Sequence, residues 1–594
     1  MTRHSFSIVL LLLLLSITAC KLFGESADKP TASVQETATS ALLSTDAPSP
    51  YSPPTNNAAL PTVALPPTAV PTIPPPPTLL PSPTPADDLS LTPDGVHLYP
   101  VPGIYTGELV TFQILANVPP HVNPNDVTVH ILVDYQDVVS GTLDAANLQG
   151  GGVGLFEWAW DTQDAAGDHL IHVILDRYDT VQNGDENREN NQASLTVTIQ
   201  NSVTLSRSEQ NAAWITRESD CCRLHVVSGT AAARDLNQLV NRVETAVSQA
   251  AISLDEQPNH KLDVYLIDRV IGQGGYAGYD IVISYLDRSY ANNGFQQVMT
   301  HEAVHILDRQ FAPERISFLA EGVATWASGG HYKPENLTQR SAALITLDEY
   351  IPLPQLIDSF YPVQHEIGYL EAAGFVTYLV NHYGWSTFRN FYSDVTREDD
   401  DTLSTAVDKN MQRYFNTTLA QAETDWLREL AQLPENNAAV SDLQTTIRFY
   451  NVMRRYQQLY DPTAYFLTAW LPPPETLEQK GNPADLTRHP ATEINVTLEV
   501  MLQAADTAVR QADYHEANIL LDSITRVLDN DGAFVDPLAH TYLNVVQTAT
   551  AAGYEVQQVH LNGKRATVTV TEKNSSELTD LSVILSGQDW VLWN

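Results

Sequence analysis

The stretch His301-Glu302-Ala303-Val304-His305 is the most informative part of this 594-residue sequence, and it lies in a run, 294–310, that predicts a helix. Two histidines four residues apart lie roughly 40° apart around a helix, so both imidazoles can reach one cation. Glu302 falls about 60° from His305 around the same helix, close enough to take a proton from a metal-bound water. The spacing therefore predicts a Zn²⁺ site held by His301 and His305, with Glu302 as general base.

A third ligand follows in the segment Phe318-Leu319-Ala320-Glu321-Gly322. This segment lies on a second predicted helix, which starts after Pro313 and stops at Gly329-Gly330. Two antiparallel helices joined by a short turn would place Glu321 opposite the histidine pair. Two histidines and one glutamate leave the fourth position of a tetrahedral zinc site open for water, which is typical of a catalytic site.

These two segments resemble the active-site helices of gluzincin metallopeptidases, in the peptidase MA-like families of bacterial envelopes. The resemblance extends over residues 203–433. It implies an α+β peptidase domain, a zinc cofactor and a peptide or protein substrate, whose bond is hydrolysed by a zinc-activated water that Glu302 deprotonates. No Gly-Ala-Met-Glu-Asn segment of the aminopeptidase type is present, so endopeptidase action is favoured.

The oxyanion that forms in such a reaction needs a further hydrogen-bond donor, which typically contributes about 3 kcal/mol. Tyr369 stands a short way before Gly374, in a segment that resembles the tyrosine-bearing segment of the aminopeptidase branch, although the spacing differs by a residue or two. We therefore expect Tyr369 to be catalytic. His331 and His365 are the alternative donors, and a packing role for Tyr369 is the remaining alternative.

The residues ahead of the helix pair predict the rest of an α+β domain. Residues 223–228 and 261–268 have strand character, and residues 231–252 form an amphipathic helix between them. A turn rich in glycine (Gly272, Gly274, Gly275 and Gly278) leads to a further strand at 280–286. The family resemblance makes that strand the edge strand that binds the substrate backbone.

The first twenty residues have the pattern of an export signal. Arg3 supplies positive charge, residues 8–15 form an apolar core, and Ile17-Thr18-Ala19-Cys20 is a small-residue cleavage site ending in cysteine. This resembles the lipobox of a bacterial lipoprotein, in which Cys20 is acylated; an ordinary secretory signal is the alternative. Since each buried methylene of an acyl chain contributes about 0.8 kcal/mol, we expect a lipid anchor on the outer face of a bacterial membrane.

Residues 21–93 predict a disordered tether rich in proline and threonine. Prolines concentrate between Pro48 and Pro85, and no charged residue occurs from Ala47 to Ala86. With no periodic apolar face this stretch cannot form a core, so we expect an extended polyproline-like chain that holds the folded body away from the lipid.

Residues 94–200 predict a β-sandwich. Short β-like segments at 109–114, 127–133, 169–175 and 193–199 are separated by clusters of Gly, Asn, Asp and Pro. The segment Asp185-Glu186-Asn187-Arg188-Glu189-Asn190-Asn191 resembles a loop of the cell-adhesion-related (CARDB-like) domains of bacterial surface proteins. Its acidic and amide side chains can hold Ca²⁺, or they form a solvated loop.

Residues 435–594 predict an accessory domain that is first helical and then β. Helices are expected at 443–459, 493–512 and 515–528, interrupted by the turn Leu471-Pro472-Pro473-Pro474, and strands at 558–570 and 581–593. No motif gives this region a function. Apart from Cys20, the cysteines are the adjacent pair Cys221-Cys222, either two small half-buried side chains, a disulfide, or part of a second metal site with His225.

The composition limits the possible functions. With 32 Lys+Arg against 71 Asp+Glu, the formal net charge is −39, which excludes a basic nucleic-acid binder. The sequence thus predicts a multidomain protein: a signal peptide (1–20), the tether (21–93), a β-sandwich (94–200), an α+β zinc metallopeptidase domain (203–434) and the accessory domain (435–594). A surface adhesion protein with a degenerate peptidase domain is the alternative, although a degenerate site has little reason to keep Glu302.

Overall fold

The computed structural model describes residues 88–593 apart from positions 102, 146–152, 273, 292–293, 362, 397–399, 466–475, 477 and 480. The predicted signal peptide with Cys20, nearly all of the tether and the turn at 471–474 therefore lie outside the described residues. In the described part of the chain, we find no helix both long and apolar enough to span a bilayer.

The first part of the described chain is a β-sandwich, as its alternating segments predict. Its strands are β1 (Val96–Tyr99), β2 (Ile104–Tyr105), β3 (Leu109–Asn117), β4 (Thr128–Val133), β5 (Gln136–Thr142), β6 (Asp144–Ala145), β7 (Val153–Asp161), β8 (Gly167–Leu175) and β9 (Gln192–Gln200). One sheet has the order β1-β3-β7-β6 and the other β2-β9-β8-β4-β5. Alternate residues such as Phe112, Ile131 and Val173 fill the space between the sheets, because successive side chains of a strand point to opposite faces.

The second part is built on a mixed five-stranded sheet. Its strands are β10 (Trp214–Glu218), β11 (Cys222–Val227), β12 (Leu262–Ile267), β13 (Gly275–Ala277) and β14 (Ile281–Ser284), preceded by the short helix α1 (Arg207–Gln210). Helix α2 (Ala231–Leu254) connects the parallel strands β11 and β12, as the pattern predicts. The sheet order is β10-β11-β12-β14-β13.

The prediction of the edge strand is wrong. The predicted edge strand at 280–286 becomes β14, which is flanked on both sides, and the glycine-rich turn itself forms the edge strand β13. Gly275 makes this pairing possible, because a Cβ there would stand 2.9 Å from the carbonyl oxygen of Val282. The glycines therefore serve close strand pairing as well as the turn.

Eight helices described between residues 295 and 431 follow the sheet. They are α3 (Phe295–Asp308), α4 (Ser317–Ser328), α5 (Leu337–Thr346), α6 (Leu353–Asp358), α7 (His365–Tyr383), α8 (Trp385–Asp394), α9 (Leu403–Phe415) and α10 (Leu419–Ala431). Helices α3 and α4 are the predicted pair, and α4 ends where Gly329 takes a left-handed conformation (φ +71°). At Gly322 of α4 a Cβ would lie 2.9 Å from the carbonyl oxygen of Ala372 in α7, so glycine permits close packing of these two helices.

The C-terminal region is helical and then β, as predicted. It contains α11 (Asn437–Tyr460), α12 (Glu493–Arg510), α13 (Tyr514–Asp529), α14 (Pro537–Ala551), β15 (Tyr554–Asn562), β16 (Arg565–Glu572), β17 (Leu578–Ser586) and β18 (Asp589–Trp593). Helix α14 was not predicted, and each of the two predicted strands is a hairpin. Gly563 and Gly587, both with positive φ, reverse the chain between the paired strands.

The C-terminal region shares its hydrophobic core with the preceding α+β region. One continuous cluster contains Val226 and Phe318 of the α+β region and Phe449, Leu498 and Val568 of the C-terminal region. Residues 435–594 therefore pack directly against the region that carries the predicted site, and their assignment as an accessory domain stays a prediction. The physical reason is that α11 and α12 each bury apolar residues in this common cluster.

The adjacent cysteines form a disulfide. Cys222 is fully buried at the start of β11. His225 pairs with two carboxylates, with Nε2 2.9 Å from Oδ1 of Asp263 and Nδ1 2.8 Å from Oε1 of Glu478. Of the three alternatives for this pair, the disulfide is the one that the structure contains.

Candidate active site

Helices α3 and α4 bring the predicted metal ligands together. His301 Nε2 lies 3.1 Å from His305 Nε2 and 3.1 Å from Glu321 Oε2, and His305 Nε2 lies 3.2 Å from the same carboxylate oxygen. All three side chains are buried. In the described part of the chain, they are the one group of three or more His, Cys, Asp or Glu residues spaced to hold a metal ion.

The three converging atoms fit a zinc ion. Atoms that are 3.1–3.2 Å apart can all lie about 2.0–2.1 Å from one cation, so His301, His305 and Glu321 would be able to hold a zinc ion together. Imidazole nitrogens and a carboxylate oxygen are ligand types that zinc prefers. The role of these residues as zinc ligands stays a prediction, and the geometry is compatible with it.

The electrostatics of Glu321 also suit a ligand. Burial on its own raises the pKa of the Glu321 carboxyl, but the charge of His305 and hydrogen bonds with His301 and His305 outweigh it and hold the pKa well below the usual range. The carboxylate is therefore ionised. Burial lowers the pKa of the His301 imidazole, whereas the hydrogen bond with Glu321 and the charge of Glu302 raise it. Together these effects place the pKa of His301 above its ordinary value.

Glu302 lines a cleft of about 600 Å³ together with the three predicted ligands. Burial raises the pKa of its carboxyl to about 7; the charge of His301 acts in the opposite direction and that of Glu321 adds to the increase. A carboxyl group that titrates near neutral pH can both accept and return a proton, as general acid–base catalysis requires.

Two of the three predicted oxyanion donors line this cleft. Tyr369, in α7, and His331, just after α4, both face it, and their rings stack with centroids 4.4 Å apart. The Tyr369 ring centroid lies 6.0 Å from that of His301. His365 is buried at the start of α7, with its ring 5.4 Å from Tyr369, and it is not among the residues that line the cleft.

The sequence analysis missed two residues beside the ligands. Tyr361, between α6 and α7, donates a hydrogen bond from Oη to Oε1 of Glu321 at 3.1 Å, so it fixes the carboxylate whose other oxygen faces the histidines. Arg315 donates to the carbonyl oxygen of His305 at 3.2 Å, and its Nε lies 3.0 Å from Oδ2 of the buried Asp308. No spacing signal connects either residue to the motif, because both lie in loops.

The edge strand β13 forms one wall of the cleft through Gly275, Tyr276 and Ala277. It is tied to the motif-bearing helix by Arg309, which donates to the carbonyl oxygen of Ala277 at 2.8 Å and to that of Gly278. An edge strand beside a catalytic centre can bind an extended peptide through main-chain hydrogen bonds, although in β13 the carbonyl oxygen of Ala277 already accepts from Arg309.

The acidic loop of the β-sandwich is held by internal hydrogen bonds. Asp88 accepts from the backbone NH groups of Glu186 and Asn187, and Asp185 Oδ1 accepts from Asn191 Nδ2 at 2.7 Å. Binding of Ca²⁺ to this loop stays a prediction.

Comparison with known proteins gives only distant matches. No family model and no curated protein matches the sequence. An M1 zinc metallopeptidase from Deinococcus radiodurans is 14% identical, and the match covers 59% of this chain and 95% of that one at a TM-score of 0.28. An aminopeptidase N family protein from Idiomarina loihiensis is 11% identical over 56% of this chain and 77% of that one, at a TM-score of 0.25.

The β-sandwich has a match of its own. The CARDB domain of a Pyrococcus furiosus protein, crystallised in complex with di-metal ions, is 17% identical, and the match covers 19% of this chain and 87% of that domain at a TM-score of 0.15. All of these TM-scores are low, so these matches do not assign a function to the site in this chain.

Proposed function

We propose that this protein is a zinc-dependent peptidase, with His301, His305 and Glu321 as metal ligands. The observation that carries the proposal is the convergence of two imidazole nitrogens and one carboxylate oxygen, 3.1–3.2 Å apart, at one wall of a cleft that Glu302 also lines. A metal held for structural reasons alone needs neither an adjoining cleft nor a carboxylate that is not a ligand. The same observation favours a peptidase over an adhesion protein with a degenerate site.

Each catalytic residue has a role in this proposal. Bound zinc would polarise the peptide carbonyl and lower the pKa of a water molecule. Glu302 takes a proton from the attacking water and then delivers it to the nitrogen of the leaving amine, so that it ends the reaction ionised again. The Tyr369 hydroxyl donates a hydrogen bond to the carbonyl oxygen that becomes negative. The imidazole of His331 stacks on the Tyr369 ring at the same place in the cleft.

The substrate of the proposed enzyme is a peptide or protein bound in an extended conformation along β13. Internal cleavage is favoured because the sequence contains no segment of the type that recognises a free α-amine. Acylation of Cys20 would keep the enzyme on the outer face of a bacterial membrane, with the tether setting its reach.

Metal analysis combined with a casein proteolysis assay tests the proposal. We expect about one zinc per chain after dialysis, cleavage of labelled casein, loss of cleavage with 1,10-phenanthroline and recovery on adding Zn²⁺. A protein that retains zinc yet leaves casein and peptide libraries uncut would contradict peptidase function. Cleavage that persists in a metal-free preparation would contradict the zinc mechanism.

A further inference from the structure

The C-terminal region, to which no motif assigns a function, places a charged side chain close to the cleft. Arg454, in α11, has Nη2 3.6 Å from Oε1 of Glu366 in α7. The other carboxylate oxygen of Glu366 lies 3.5 Å from Nδ1 of His331, whose ring lines the cleft. Three ionisable side chains thus connect a C-terminal helix to the candidate active site.

This connection is shielded from water. The side chains of Arg454, Glu366 and His331 are 12%, 4% and 9% exposed. A carboxylate this buried is stable only when positive or hydrogen-bonding groups face it, and removing one partner of a buried pair is far more disruptive than removing an exposed one. The position of Glu366 therefore depends on the groups on either side of it.

Glu366 and two tyrosine rings surround the imidazole of His331. Nδ1 is buried and lies 3.5 Å from Oε2 of Glu366, within ion-pair range but without a hydrogen bond. The ring packs against Tyr369 and Tyr332, with centroids 4.4 and 3.9 Å away. Nε2 is on the opposite edge of the ring, and the His331 side chain lines the cleft. A carboxylate at Nδ1 fixes the orientation of an imidazole and favours a proton on that nitrogen.

Two C-terminal helices also hold the loop that carries His331. Tyr450 of α11 stacks on Tyr332, with ring centroids 4.8 Å apart. Arg510 of α12 donates to the carbonyl oxygen of Tyr332 at 3.0 Å. The loop is therefore fixed from the C-terminal side by contacts to its backbone, to an aromatic ring and, through Glu366, to His331.

We propose that Glu366 and Arg454 are positioning residues, which hold the His331 imidazole with Nε2 toward the reacting peptide bond. Through Arg454, helix α11 then supports a residue of the active site, so the C-terminal region is needed for the full arrangement of that site. This proposal rests on the proposed peptidase function for its kinetic consequences, but the position of the His331 ring is a property of the protein itself.

The test compares Arg454→Gln with Arg455→Gln. Arg455 is the next residue of the same helix, and its partner is the surface residue Asp529, with Nη1 2.6 Å from Oδ1. We expect R454Q to lower kcat on labelled casein by about tenfold or more, with KM and zinc content little changed, whereas R455Q stays within about twofold of the parent. R454K, which restores a positive charge near Glu366, should recover most of the loss.

Two further variants test whether the residues act in series. Glu366→Gln keeps the shape of the side chain and removes its charge, so it should give the same loss as R454Q and serves in its place if R454Q does not fold. The double variant E366Q/R454Q should be no slower than either single variant, because the effects of two residues that act through one another on kcat are not additive. If the double variant instead loses kcat by the product of the two single losses, Arg454 does not act through Glu366 and the proposal is overturned.

A crystal structure of each variant gives a readout that does not depend on turnover. In R454Q and E366Q the His331 ring should be rotated away from its position in the parent, whereas in R455Q it should be unchanged. An unchanged ring in all variants would overturn the positioning role, even if casein cleavage were reduced. A zinc-loaded parent that cleaves nothing would contradict the proposed function, and the ring position would still decide the positioning role.

Discussion

The hydroxyl of Tyr361 donates a hydrogen bond to Glu321, with 3.1 Å between Oη and Oε1. The other oxygen of this carboxylate, Oε2, is the one that faces His301 and His305. Tyr361 therefore restrains the rotation of the proposed zinc ligand without being a ligand itself. Groups that orient a metal ligand in this way usually affect metal affinity more than their distance from the metal suggests.

Replacing Tyr361 by Phe should weaken zinc binding by about tenfold or more, because the carboxylate of Glu321 loses the donor that holds it. Competition with a chelator of known affinity measures this change. Tyr414→Phe is a matched control, since Tyr414 makes the same hydroxyl-to-carboxylate bond, to Asp394, on the surface. Equal zinc affinity in Y361F and Y414F would show that the Tyr361 hydroxyl does not support the site.

Glu302→Gln and His305→Ala should separate metal binding from catalysis. We expect E302Q to retain zinc and to lose turnover by about a hundredfold or more, because the amide cannot accept the proton of the attacking water. H305A should lose both, because a proposed ligand is removed. Zinc analysis and casein cleavage, measured on the same samples, check both expectations. An E302Q protein as fast as the parent would exclude Glu302 as the base.

The dependence of kcat/KM on pH should show an acidic limb from Glu302. Burial is the main cause that raises the pKa of this carboxyl to about 7, and only the ionised form can accept a proton, so activity should rise as the pH increases through this value. The positive charge of a bound cation would lower the pKa, so we expect the midpoint at or below about 7. A kcat/KM that stays constant from pH 5 to pH 8 on a substrate without ionisable groups would contradict this assignment.

Tyr369→Phe removes one hydroxyl from the wall of the cleft. If this hydroxyl stabilises the oxyanion, turnover should fall by at least about tenfold with zinc content unchanged. A loss below about twofold would exclude Tyr369 and leave His331, whose ring stacks on it, as the alternative donor. Measuring the turnover of Y369F and of H331Q side by side shows which of these two stacked side chains supplies the donor, because the variant that lacks the donor should be the slower one.

Residues His301, Glu302, His305 and Glu321 could be found from the sequence because their spacing is a consequence of helix geometry. The period of the helix fixes which side chains share a face, and the glycines after α4 mark where it ends. Tyr361 could not be found in this way. It lies 40 residues after Glu321 in a loop between two helices, so only the packing of the helices brings the two side chains together.

The edge strand β13 and the C-terminal hairpins were not predicted from the sequence, because glycines in these segments have more than one structural meaning. At β13 the glycines looked like a turn alone, yet Gly275 also allows β13 to pair closely with β14. In the C-terminal sheet, Asn562-Gly563 is a turn signal inside what looked like one alternating strand. The hydrophobic core that residues 435–594 share with the preceding region has no local signal, because an apolar face in a sequence does not show which other face it packs against.

The β-sandwich shares a hydrophobic cluster with a residue that lines the cleft, and this changes the expectation for a truncated protein. Nothing before residue 201 supplies a residue of the proposed site, so the sequence suggests that a protein starting near Asn201 keeps its activity. In the structure, Tyr99 and Leu109 of the sandwich pack in one cluster with Ile271, which lines the cleft beside β13. The buried carboxylate of Glu108 also pairs with Arg488 of the C-terminal region.

Removing residues before 201 should therefore destabilise the protein and reduce its activity. The truncation exposes apolar side chains such as Ile271, each of which contributes about 1.5–3 kcal/mol when fully buried, and it leaves Arg488 without Glu108. A chain that starts at Asp88 is the matched control, because it lacks only the signal segment and the tether up to residue 87, and it should melt and cleave casein like the full-length protein without its anchor. Thermal unfolding and casein cleavage of the two truncated proteins measure the difference. If the chain starting at Asn201 melts at the same temperature and cleaves at the same rate as the control, the cluster that the sandwich shares with Ile271 has no role in supporting the cleft.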